Sequence, residues 1–283
     1  MSRVAIVTDS ASDLPPAAAA TAGIAIVPLI VSFGQQTFKA GVDLSTEQFW
    51  QRMTAPDAPF PTTAASAPGE FKAVYEKAFA DGADAIVSIH VAGSLSATLK
   101  SAEIAKGMLP TREIHIVDSG SASMGEGILA QIGAEMAAQG VSAAEITRVL
   151  DDRKKDLDLY VALDTLEYLK KGGRISGARA AIGTLLSVKP IITIRDGVVE
   201  TADRPRTRGK ARERTIELLV QRPIERLAIL FTPPADAESF RQEVVARAGS
   251  QLNPKNVSVQ PVGASVGPHL GPSCLGAVVL YGR

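Results

Sequence analysis

Short apolar runs recur along the chain and alternate with stretches of helical period, the pattern of strands crossed over by helices. Residues 4–7 form the first run, which ends in Thr8-Asp9-Ser10, and Asp13 with Pro15 and Pro16 supplies a cap and prolines for a helix start. Residues 24–31 read as one further strand and residues 33–38, around Gly34, as a turn or hairpin. Ser45 with Gln48 reads as the capping box of a helix through Met53. Residues 55–69 hold four prolines and the hydroxyls of Thr62, Thr63 and Ser66, which predicts a loop before a helix from Glu70. Residues 85–89 read as a strand leaving through Gly93-Ser94-Leu95-Ser96 into a helix over 97–106. Residues 113–117 read as another, leaving through Asp118-Ser119-Gly120 into a helix that ends near Gly140, and Ser142 with Glu145 caps one more helix.

This rhythm implies a parallel sheet covered on both faces, with ligands bound beyond the carboxyl ends of its strands. It changes after the apolar run 159–163, where a helix through Lys171 is stopped by Gly172-Gly173 and a strand pair turns at Asp196-Gly197. Helices near 210–220 and 235–248, with strands near 227–231, 257–260 and 277–280, complete an α+β pattern. The expected fold class is therefore α/β, with an N-terminal Rossmann-like parallel-sheet domain over residues 1–158 and a C-terminal α+β domain over residues 159–283.

Composition narrows the chemistry. With 283 residues, 46% hydrophobic and 21% charged, the chain can build real cores. Thirty basic residues balance thirty acidic ones, so no general basic field exists for nucleic acid or an anionic membrane, and any anion site must be local. One cysteine, Cys274, excludes an intrachain disulfide and a thiolate cluster for structural zinc or iron and sulfur, and no metal is expected. The uncharged stretch between Asp13 and Lys39 is broken by Pro15, Pro16, Gly23 and Pro28, so neither a membrane span nor a signal core is expected, and a cytoplasmic location is.

Several candidates for chemistry stand out. Gly125-Glu126-Gly127-Ile128-Leu129-Ala130 fits the dinucleotide fingerprint formally, but its first glycine falls too far past the strand, and glycines within a helix start are the plainer reading. Ser96 sits where a nucleophile elbow would, yet Ser94 and Thr98 replace the glycines such a turn needs. Anion binding beside exposed helix N–H groups, or simple capping, are its remaining roles. His90 and His115 follow or occupy apolar strands and read as structural, whereas His269 lies in a Gly- and Pro-rich loop where an imidazole can serve a carboxylate or phosphate. Basic residues at every second position from Arg204 to Arg214 suit solvated surface, phosphate recognition or an acidic protein partner. Nucleic acid is disfavoured there because no aromatic residues interleave.

Taken together, Val4-Ala5-Ile6-Val7-Thr8-Asp9-Ser10, Pro61-Thr62-Thr63 through Pro68-Gly69-Glu70-Phe71, Leu95-Ser96, Ile116-Val117-Asp118-Ser119, Lys171-Gly172-Gly173-Arg174-Ile175 within the 166–176 stretch, Lys189-Pro190 and the His269 loop resemble the DegV family along the whole chain. The resemblance implies a two-domain lipid-binding protein of the fatty-acid-binding subunit type of the bacterial fatty acid kinase system. Such a subunit holds a long-chain fatty acid in a buried tunnel and presents its carboxylate to a separate ATP-dependent kinase, with no catalysis and no cofactor of its own. By that resemblance Thr63, Ser96 and His269 hold the carboxylate, Arg206 lies near the head group or phosphate, and Arg174 faces the partner. The chain departs from the family pattern at Ala64-Ala65, Ser94 and Ala97, which removes a hydroxyl after Thr63 and makes Thr62 or Ser94 the candidates to replace it. Two other readings are kept: a stand-alone phosphotransferase or hydrolase using Ser96 and His269, and a regulatory module docking through the 204–214 face.

Overall fold

The computed structural model describes residues 3–175 and 188–283, so Ser176, the end of the 166–176 motif, lies outside the described residues. Strand β1 (Val4–Asp9) leads through helix α1 (Pro16–Thr21) to β2 (Ile24–Val27). The single strand expected over 24–31 is two: Pro28, lacking an N–H and fixed in φ, ends β2, and β3 (Ile30–Phe33) leaves for another sheet. There it pairs antiparallel with β4 (Gln36–Lys39) across the turn at Gly34, and on its other side with β5 (Thr62–Ala64). The loop expected around Thr62 and Thr63 is thus a strand at its centre, in register with Ser32 and Val31. Helix α2 (Thr46–Met53) carries the expected capping box, and α3 (Pro68–Ala80) starts on its proline, two residues before the expected Glu70.

Strand β6 (Ala85–His90), α4 (Thr98–Gly107) and β7 (Glu113–Asp118) complete a four-stranded parallel sheet of order β2-β1-β6-β7. Phe71, Tyr75 and Phe79 of α3 and Ala102 and Ala105 of α4 cover one face, against Val7, Ile86 and Ile114. Helix α5 (Met124–Ala138) covers the other, and α6 (Ala143–Arg153) flanks it.

A second sheet of six strands follows, ordered β10-β9-β8-β13-β11-β12 and antiparallel except for β11 with β12. Along the chain its elements are β8 (Leu157–Ala162), α7 (Glu167–Lys171), β9 (Ile191–Arg195), β10 (Val198–Asp203), α8 (Arg208–Leu219), β11 (Ile224–Phe231), α9 (Ala237–Ala248), β12 (Val257–Pro261), α10 (Gly267–Leu270) and β13 (Leu275–Tyr281). Helices α8 and α9 bury Ile216, Leu219, Phe240 and Val244 against its outer face.

Between the sheets lies α5, whose first turns, Met124 to Ala130, are buried on every side because one core continues from Ile6 and Val87 on the first sheet to Val161, Leu230 and Val278 on the second. The segments after β1 and before α5 approach it so closely that Gly125 and Gly127 are needed as small residues. A Cβ on Gly125 would overlap the Ser121 side chain, and one on Gly127 would lie 2.8 Å from the Ser12 carbonyl oxygen. The dinucleotide-like string is therefore a packing motif inside a helix. Among the described residues no helix is long and apolar enough to cross a membrane.

Candidate functional site

The order β2-β1-β6-β7 reverses direction between β1 and β6, and the crevice beyond their carboxyl ends is where an open α/β sheet offers a ligand site. Here it opens onto a cavity of about 310 Å³ whose wall includes Ala11 after β1 and Val91 after β6. The cavity continues along the inner face of the second sheet, over Leu159, Val161, Ile192, Ile194, Val199 and Leu230. Polar groups converge at one end: Thr63 from β5, Ser96 before α4, Arg174 after α7 and His269 on α10. Residues distant in sequence meet there because each ends or interrupts an element at the same sheet edge.

The imidazole of His269 lies 3.0 Å from the Thr63 hydroxyl through Nε2, while its buried Nδ1 has no hydrogen-bond partner. Burial, helped by the nearby charge of Arg174, pushes its pKa down to about 4, so the ring is neutral at physiological pH. Of its two tautomers, the one protonated on Nε2 leaves only a lone pair unfilled at Nδ1 and avoids a buried unpaired N–H. The ring N–H then donates to the Thr63 oxygen, and the Thr63 proton is left to donate into the cavity. Gly172 makes this placement possible, since a Cβ there would overlap the His269 ring.

Ser96 accepts from the Thr98 backbone N–H at 3.2 Å and lies 2.7 Å from the Thr98 hydroxyl, which fixes its oxygen at the mouth of α4. Arg174 donates from Nε to the Leu95 carbonyl at 3.0 Å and from Nη1 to the Gly172 carbonyl at 2.6 Å. Its fork thereby links the Ser96 loop to the segment against His269 and brings the cavity a cation with further N–H groups to give. Expected at a partner-facing surface, it forms part of the cavity wall. Thr62 and Arg206 do not join this group: Thr62 is exposed, and Arg206 is exposed in the turn before α8. Ser94 instead donates to the Gly197 carbonyl at 2.5 Å, so neither proposed replacement hydroxyl lines the cavity. Three of the six basic residues of the stripe are paired, Arg208 with Asp164, Arg212 with Glu243, and Arg214 with Asp203 and Glu217, and its helical part does not form a single face.

Neither Ser96 nor a carboxylate bonds to His269 among the described residues, so no Ser-His-acid chain is assembled. Asp9, His90 and Glu126 bring ligand-type atoms within 4.8 Å of one another under the site. Most of those atoms are already committed. His90 contacts Asp9 at 3.0 Å and Ser88 at 2.7 Å, Asp9 accepts from the Ala11 and Val91 N–H groups, and Glu126 accepts from the Thr8 hydroxyl at 2.6 Å. Burial, with the charge of Asp9 beside it, holds the Glu126 carboxyl well above the usual range, and its Oε2 is buried with no hydrogen-bond partner. Burial also pushes the Cys274 thiol up to about 12, which fits a small core residue. Sequence reasoning missed the place of Arg174, Ser123 and Ser265 on the cavity wall, which no local pattern around these residues signals.

An α/β sheet whose switch-point crevice runs into a largely apolar cavity, headed by hydroxyls, a neutral imidazole and a guanidinium, has the form of a small-molecule site with an apolar body and a polar end. The chain belongs to the DegV family: the family model described as "Uncharacterised protein, DegV family" matches residues 3–282. A DegV domain-containing protein of Deinococcus radiodurans is 35% identical over 98% of both chains. Among solved structures, a fatty-acid-binding DegV family protein from Thermus thermophilus is similar with a TM-score of 0.88 at 33% identity over 99% of each chain. DegV of Bacillus subtilis, described as a fatty acid binding protein, has a TM-score of 0.87 at 30% identity over 100% of each.

Proposed function

We propose that this chain is a fatty-acid carrier that holds a long-chain fatty acid in the cavity between its sheets and presents the carboxylate to a separate ATP-dependent kinase. The observation that carries this reading is the polarity of the cavity, apolar along β8 to β11, with Thr63, Ser96, Arg174 and His269 converging at one end and the hydroxyls of Ser123 and Ser265 as its other polar lining. A carboxylate withdrawn from water costs several kcal/mol unless several donors meet it. The Thr63 and Ser96 hydroxyls and the Arg174 fork supply them, with His269 orienting Thr63. Each methylene buried along the second sheet contributes about 0.8 kcal/mol, which selects long chains. The fatty-acid-binding relatives of Thermus thermophilus and Bacillus subtilis support the same ligand class.

Native mass spectrometry of the purified protein, followed by denaturing extraction, tests the ligand. A bound fatty acid at one per chain is expected, and a mass unchanged after incubation with a panel of fatty acids would sink the reading. For the kinase step, the loaded protein with ATP alone should form no acyl phosphate and should form it when a fatty acid kinase is added; Arg206→Ala should weaken only the second reaction if Arg206 serves the head group or partner.

A further inference from the structure

The segment that carries His269 belongs to the second half of the chain, yet it is fastened to the first. Trp50 Nε1 donates to the Val262 carbonyl at 2.8 Å, Gly267 packs on the Phe49 and Trp50 rings, and the Ser10 and Ser265 hydroxyls lie 2.8 Å apart. One tie differs in kind because a carboxylate makes it. Asp13 Oδ1 accepts the Gly263 N–H at 2.8 Å and Asp13 Oδ2 accepts the Ser123 hydroxyl at 2.5 Å. The Gly263 carbonyl in turn accepts the Gly267 N–H, the first of α10, at 2.8 Å, and the His269 N–H bonds Val266 at 3.0 Å. An unbroken path therefore runs from Asp13 through the Gly263 peptide to the one-turn helix that aims His269 at Thr63.

Both side chains at the start of this path sit on backbone of positive φ, Asp13 in the left-handed region at φ 53° and ψ 21° and Ser123 at φ 55° and ψ −142°. Residues other than glycine adopt such backbone rarely, and it persists where surroundings over-determine it. Gly263 is held as close: a Cβ there would lie 2.8 Å from Asp13 Oδ1. From this geometry we infer that Asp13 is a positioning residue for the ligand site, setting the place of His269 through the Gly263 peptide, with Ser123 bracing its carboxylate. The inference rests on the carrier reading only for its effect on affinity; the placement of His269 is a property of the protein without ligand.

Two measurements separate these. With the imidazoles ¹⁵N-labelled, three histidines give resolvable signals. In the lipid-free protein Asp13→Ala should move the His269 signals towards those of a solvated ring and raise its titration midpoint, while His90 and His115 stay put. Asp13→Asn, which keeps an acceptor for Gly263, should leave all three as in the wild type. In binding, Asp13→Ala should weaken fatty-acid affinity about tenfold, the cost of one buried hydrogen bond, and Asp13→Asn should restore most of it. In a His269→Ala background Asp13→Ala should change affinity no further. Unmoved His269 signals in Asp13→Ala, or a loss that persists undiminished without His269, overturn the inference. A wild type that binds no fatty acid while its His269 signals respond as stated overturns the carrier reading alone. Should the alanine variant not fold, Asp13→Ser, which can keep one of the two bonds, is read in the same two ways with a smaller shift expected.

Discussion

His269 and Asp13 are titratable groups displaced in opposite senses, and their effects on stability oppose each other. The unfolded chain binds a proton on His269 near its ordinary value of 6.5, but the folded protein does so only near 4, so this residue makes stability fall as pH drops through that window. Asp13 is held, mainly by burial, at about 7 against an ordinary 3.8, so the folded state keeps a proton that the unfolded state has lost, and stability falls as pH rises from about 4 to about 7. Urea unfolding across pH 4 to 7, compared with the wild type, should show Asp13→Asn losing stability more steeply on acidification and His269→Gln losing it more steeply on alkalinisation. Parallel curves for the wild type and both variants would contradict these assignments. None of this is readable in the sequence: Asp13 was a helix-start residue there and His269 a loop imidazole, and only packing supplies the desolvation.

At the scale of elements, glycines act in two ways, as left-handed stops and as small residues under a close neighbour. In Gly172-Gly173 the second has φ 73° and ends α7, whereas the first has ordinary φ and is small because His269 lies against it. Gly172→Ala should therefore leave α7 intact by circular dichroism yet displace the imidazole and weaken fatty-acid binding about tenfold or more, a loss of at least about 1.4 kcal/mol. In α5, Gly127→Ala gains about 1 kcal/mol of helix propensity but drives a methyl into the Ser12 carbonyl, an overpacking that costs about 1 to 3 kcal/mol. A lower melting temperature is expected, and a higher one would show that the contact relaxes freely. The strands of both sheets were legible because apolar runs and turn residues mark them locally. Strand β5 was not, since three residues among prolines carry no period and exist as a strand only through β3. Arg174 was legible as a motif but not as a wall of the cavity, which depends on where the Leu95 carbonyl comes to rest.

For the molecule as a whole, the cavity makes ligand and fold interdependent. A fatty acid between the sheets would touch β8, β9 and β11 on one side and the β1 and β6 edges on the other, so it binds only the assembled state. Saturation at a hundredfold excess over Kd should raise the unfolding free energy by about 2.7 kcal/mol, seen as a rise in melting temperature that His269→Ala reduces at equal ligand. No rise with any long-chain fatty acid would argue against a cavity ligand. The parallel-sheet layer and the α+β layer followed from the sequence rhythm, while the sharing of one core through α5 did not, because a run of small and apolar residues at a helix start signals burial without saying between what.

The contact between Thr63 and His269 spans 206 positions of chain. At a synthesis rate of about 5–20 residues per second, the hydroxyl leaves the ribosome on the order of 10–40 s before its imidazole partner. During that interval the first sheet can form, but its crevice lacks both the orienting ring and the apolar wall from β11. If the carrier reading holds, a fatty acid therefore finds its complete site only after synthesis ends, and loading falls to the finished protein, from whatever lipid surrounds it by then.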